Sequence, residues 1–85
     1  LLQQAMRFYE AGDDSGALSA LDRWDAQFGS GGLHVEARTL RLLVFCRLGR
    51  QREAVAIWRE LEQLDARALK TPRLEQSCAA PEVQR

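Results

Sequence analysis

The sequence predicts an all-α chain built from two helix-turn-helix hairpins and a short C-terminal capping helix. Apolar residues recur at helical spacing through most of the 85 residues, and glycine interrupts them at Gly12 and Gly49. The stretch around the first interruption, "FYEAGDDSGALSAL" (8–21), is also repeated around the second, "FCRLGRQREAVAIW" (45–58). Laid over each other, they pair Phe8 with Phe45, Gly12 with Gly49, Ala17 with Ala54, Leu21 with Trp58 and Trp24 with Leu61. One offset of 37 residues, the distance from Gly12 to Gly49, accounts for all five pairs, which indicates an internal repeat.

In the first copy, Leu1, Leu2, Ala5, Phe8 and Tyr9 form the stripe of one helix, and Ala17, Leu18, Leu21, Trp24 and Phe28 that of the next. Gly12 falls where a helix end needs a left-handed residue, and Asp13, Asp14 and Ser15 are suited to cap the following helix. "GSGG" (29–32) cannot hold a helix, so a flexible loop joins the copies. The second turn, Gly49 to Glu53, has no good side-chain cap, but Arg47, Arg50 and Arg52 stand near a helix C-terminus, where cations are favourable. Thr71-Pro72 starts a new segment, with "PRLEQSC" forming about two turns of helix before "CAAPEVQR" frays. The whole reads as one domain, with repeat 1 over about 1–30, repeat 2 over about 33–68 and the cap over about 71–79.

Twelve basic residues balance twelve acidic ones, interspersed, so the chain lacks the field that would draw in nucleic acid or an anionic bilayer. A 46% apolar composition with 28% charged residues is that of an ordinary globular domain. No apolar run approaches the roughly 18 residues of a membrane span, and no membrane insertion is expected. The chain opens on Leu1-Leu2, which reads as a piece of a longer protein. Two distant cysteines and the single His34 lack the close ligand pairs of a zinc site, and no cofactor is expected. The phosphate loop and the nucleophile elbow are missing, and Asp22, Asp25, Glu60 and Glu62 alternate with Arg23 and Arg59 on outward helix faces. No catalytic residue is therefore assigned, and Trp24 and Trp58 are read as core between hairpins.

Paired hairpins that repeat, with small residues where helices cross, are the signature of a helical solenoid. The pattern resembles the tetratricopeptide repeat: an aromatic near the end of the first helix (Phe8, Phe45), glycine at the turn, alanine early in the second helix (Ala17, Ala54) and a large apolar residue one turn later (Leu21, Trp58). It departs from that family in having Gln4-Ala5 and Arg41-Leu42 in place of a Leu-Gly pair, and Gly29 and Ala66 in place of proline. The resemblance implies a right-handed superhelix. The longer offset and the segment "AQFGSGGLHVEA" (26–37) look like the tetratricopeptide proteins of the bacterial cell envelope, the outer-membrane assembly lipoproteins and periplasmic cell-division coordinators. They imply a periplasmic or envelope scaffold, the alternative location being the cytoplasm.

In the family's geometry the hollow of the solenoid carries Met6, Tyr9 and Glu10 from the first copy and Thr39, Leu43, Cys46 and Arg47 from the second. "LLVFC" (42–46) is apolar right round its helix and needs cover on every side. Either a partner helix or peptide covers it, or this chain's own tail, Pro72 to Cys78, does so. Met6, Tyr9, Thr39, Leu43 and Arg47 are the candidate partner-binding residues, since aromatic and arginine side chains beside apolar surface commonly dominate interface energy. Cys46 and Cys78 form a possible disulfide that would pin the tail, worth roughly 3 to 4 kcal/mol in the chain-entropy account. The function expected is non-catalytic binding of a protein or peptide, or self-association. The alternatives are an accessory domain of a larger enzyme or signalling protein, and a helical DNA-binding regulator using Arg47, Arg50 and Arg52.

Overall fold

The computed structural model describes residues 2–28 and 33–80. Within them the chain is all-α: α1 (Leu2–Glu10), α2 (Asp14–Phe28), α3 (His34–Arg47), α4 (Gln51–Asp65), a 3-10 turn (Ala66–Leu69) and α5 (Pro72–Glu75). The expected loop at 29–32, Leu1 and the chain end at 81–85 lie outside the described residues. No helix among the described residues is long and apolar enough to cross a membrane.

Both turns follow from their glycines. Gly12 has φ +83° and Gly49 φ +76°, a region where a Cβ is strained. At the first turn the Gly12 N–H donates to the Tyr9 carbonyl (3.1 Å) and the Asp13 N–H to the Phe8 carbonyl (2.8 Å). At the second, the Gly49 N–H donates to Cys46 (3.1 Å) and the Arg50 N–H to Phe45 (2.9 Å). These paired bonds are the Schellman closure of a helix end, and they recur at the offset that relates the two stretches in sequence. The caps that follow differ. Asp13 Oδ1 accepts from the Gly16 N–H at 2.9 Å, whereas α4 starts with no side-chain cap and an Arg50–Glu53 ion pair at 3.1 Å.

Packing centres on α3, which contributes to two cores. Its Ala37, Leu40 and Val44 join Ala5 of α1 and Ala17, Ala20, Leu21 and Trp24 of α2. Its Leu42, Leu43 and Phe45 join Ala54, Ile57, Trp58 and Leu61 of α4, together with Leu69, Leu74, Ala79 and Ala80 of the C-terminal segment. Both tryptophans are core residues, and the pairs Leu21/Trp58 and Trp24/Leu61 exchange a large for a medium side chain at matched positions. Ion pairs flank the same helix. Arg41 reaches Asp22 and Asp25 of α2, both at 3.0 Å, and Arg38 lies 3.4 Å from Glu60 of α4. Acidic residues read from sequence as a solvated face thus serve, in part, as inter-helix partners.

The tail departs from expectation. Asp65 turns extended (φ −163°) and its carboxylate accepts from the Arg67 N–H, so α4 gives way to the 3-10 turn. Thr71 caps α5 through the Leu74 N–H, but the helix lasts one turn instead of two. Beyond it, Ala79 and Ala80, expected to fray, are fully buried and belong to the core cluster that includes Leu42 and Phe45. Buried Ser77 is satisfied by donating to the Leu74 carbonyl at 2.7 Å.

An added Cβ at Gly12 or Gly49 meets nothing within 4 Å, so alanine there tests the backbone alone. Gly12→Ala and Gly49→Ala should each lower stability by roughly 1 kcal/mol in urea titration. Leu42→Ala, at a site with no exposure, should cost roughly 2–5 kcal/mol.

Candidate functional site

The expected binding residues separate into two groups. Met6, Thr39 and Leu43 come together in a cleft of about 300 Å³ whose floor also includes Val35 and Leu40 of α3. One wall is α1, through Met6, and the other is the C-terminal segment, through Ala68, Thr71 and Arg73. Glu36 and Arg73 supply opposite charges to the lining. The Thr39 hydroxyl donates back to the Val35 carbonyl at 2.9 Å, so it presents a lone pair and a methyl group rather than a free donor. Met6 is 37% exposed and adaptable in shape, a side chain suited to contacts with more than one surface.

Tyr9 and Arg47 do something else. The Arg47 guanidinium stacks on the Tyr9 ring, 4.0 Å from its centroid, and donates from Nη2 to the Tyr9 carbonyl at 2.6 Å. Its Nε donates to Asp14 Oδ1 at 2.7 Å. One side chain at the end of α3 therefore ties the second hairpin to the α1–α2 turn, and it gives the Tyr9 carbonyl a second donor beside the Gly12 N–H. The hydrogen bond to Asp14, then the attraction of the Asp14 charge, raise the Arg47 pKa above its already high ordinary value despite some opposing desolvation. A raised pKa on a base contributes stability at every pH below the ordinary arginine range. Arg47, read from sequence as a partner contact, is engaged inside the chain. The signal for it lay in Asp14, which the cap reading had absorbed.

At the position that matches Tyr9 in the second copy stands Cys46. It lies within disulfide-bonding distance of Cys78, with the Cα atoms 5.5 Å apart across 32 residues of sequence. Tyr9 is thus held by the element that follows its hairpin, and Cys46 by the segment that follows its own. Gln51 Nε2 adds a hydrogen bond to the Cys78 carbonyl at 3.0 Å. Expected Glu10 is exposed and takes no part in the cleft.

The arginines proposed for DNA contact are partly committed. Arg50 stacks over Phe45 at 4.7 Å and pairs with Glu53, which leaves Arg52 with Arg59 along an open face of α4. His34 begins α3, its Nδ1 buried without a hydrogen-bond partner. No group of three or more potential metal ligands converges among the described residues.

Asp14 and Arg47 side chains are 15% and 36% exposed, so screening limits their pairing. A double-mutant cycle of Asp14→Asn and Arg47→Met should give a coupling of about 0.5–1 kcal/mol that shrinks in molar salt. A coupling near zero would show that the stack and the carbonyl bond, and not the ion pair, carry the contribution of Arg47. No protein-family model, curated protein or solved structure matches the chain.

Proposed function

We propose that the chain is a non-catalytic protein-interaction module of two tetratricopeptide-like repeats, acting in the bacterial cell envelope and taking a partner helix or peptide in the cleft of Met6, Thr39 and Leu43. The observation that carries this reading is the cleft itself: its floor is apolar, its two walls come from separate parts of the chain, and opposite charges stand in its lining. An amphipathic helix or extended peptide would place one or two apolar anchors on Leu43 and Met6 and meet Glu36 and Arg73 with its polar groups. Shape and apolar burial would supply the affinity, and the two charges the orientation.

The repeat reading is supported by turns that share their glycine conformation and closing bonds, and by alanines at 17 and 54 with no exposure. The envelope reading is supported by the proximity of Cys46 and Cys78, since a disulfide persists in an oxidising compartment. Nucleic acid is disfavoured by net neutrality and by the internal engagement of Arg47 and Arg50.

A photoreactive amino acid in place of Met6, introduced in the native host, should yield a discrete cross-linked protein. The same residue in place of Arg23, exposed on α2, should not. An adduct of twice the chain mass would identify a second copy as the partner. Equal labelling at both positions, or none at Met6, would contradict the cleft as the binding surface.

A further inference from the structure

The C-terminal segment walls the cleft yet has little of its own to hold it there. Of residues 66–80 Leu69, Leu74, Ser77, Ala79 and Ala80 are buried, and two leucines with two alanines are a modest apolar contribution for ordering that length of chain. Its backbone bonds are local: Glu75 to Thr71, Gln76 to Pro72, Ser77 to Leu74 and Ala80 to Ser77. The Gln51 side chain of α4 reaches across to the segment, donating to the Cys78 carbonyl at 3.0 Å. The Cys46–Cys78 bridge joins the segment covalently to the last turn of α3. Both cysteines are partly exposed, so a thiolate can approach the sulfur atoms.

We propose that the Cys46–Cys78 bridge is a redox latch: oxidised, it holds the C-terminal segment as one wall of the cleft, and reduced, it releases that segment and opens the apolar face of α3 and α4. This rests on reading the cleft as a binding site. Release would widen the narrow cleft into a broad surface that includes Leu43, Phe45 and Trp58, which share a core with Leu74 and the two alanines. The two states would therefore present different surfaces to a partner.

The chemistry is thiol–disulfide exchange with a dithiol reductant. A thiolate of the reductant attacks one sulfur of the bridge, forming a mixed disulfide and freeing the other cysteine as thiolate. The second thiol of the reductant then displaces the remaining cysteine. The Cys46–Cys78 bond is reduced by two electrons, the reductant's two sulfurs become joined, and its two protons finish on Cys46 and Cys78.

The test is amide hydrogen exchange on the intact chain, oxidised and after treatment with dithiothreitol, with Cys78→Ser as a permanently unlatched form. Far-UV circular dichroism should show the four long helices retained. Exchange at Gln76, Ser77 and Ala80 should accelerate at least about tenfold on reduction, with Gly49, Arg50 and Ala54 changing less than about twofold. Binding of an apolar dye should rise in parallel, and Cys78→Ser should match the reduced chain. Unchanged protection at Gln76, Ser77 and Ala80 would overturn the latch, showing that packing alone holds the segment. Equal acceleration at Gly49 and Ala54 would also overturn it, showing that the bridge staples the whole fold. Neither readout uses a partner, so a latch that works without any Met6 adduct would remove the interaction reading alone, and a Met6 adduct without tail release would remove the latch alone.

Discussion

A helix that is apolar on every side cannot rest on a surface; it must be enclosed. Residues 42–46 of α3 impose that requirement, and the rest of the molecule meets it from different directions. Leu42, Leu43, Val44 and Phe45 are all buried, Val44 with α1 and α2, and the other three with α4 and the C-terminal segment. Two helical hairpins alone leave one flank of such a helix open. The C-terminal segment closes part of that flank with Leu69, Leu74 and two alanines, and the part it does not close is the cleft at Leu43. Cleft and cover thus arise from one constraint.

Two ties hold this arrangement at matched positions. Tyr9 is gripped by Arg47 through a stack and a carbonyl bond, and Cys46 is placed beside Cys78. The first is polar and local in its consequences, because the hairpins it joins also share a core of eight buried residues. The second secures a segment with few buried residues. Covalent closure matters more where packing contributes less, which is why the proposed regulation falls on the cysteines and not on the arginine.

Much of this was legible in the sequence where a single residue dictates a local conformation. Gly12 and Gly49 specify left-handed turns, Asp13 specifies a cap, and Leu21, Trp24, Trp58 and Leu61 specify buried stripes, each by a rule that needs no knowledge of distant residues. The tail was less legible. Its short helix, the 3-10 turn before it and the burial of Ala79 and Ala80 depend on the shape left by α3 and α4, and alanine gives no sequence signal that separates a frayed end from a tightly packed one. The role of Arg47 was hidden for a related reason. Asp14 lies 33 residues away, and its charge at a helix start already had a sufficient local explanation. Met6, Thr39 and Leu43 line one cleft, and their placement on a shared side came from the geometry that the family resemblance implies.

The central claim is that α3 belongs to both cores and makes them one cooperative unit. Native-state hydrogen exchange of the oxidised chain across a denaturant series tests it most directly. The account predicts that the amides of Leu21, Val44 and Leu61 open with one common free energy, equal to that of global unfolding. Separate free energies for the α1–α2 and α3–α4 hairpins would contradict it, showing two cores that merely touch.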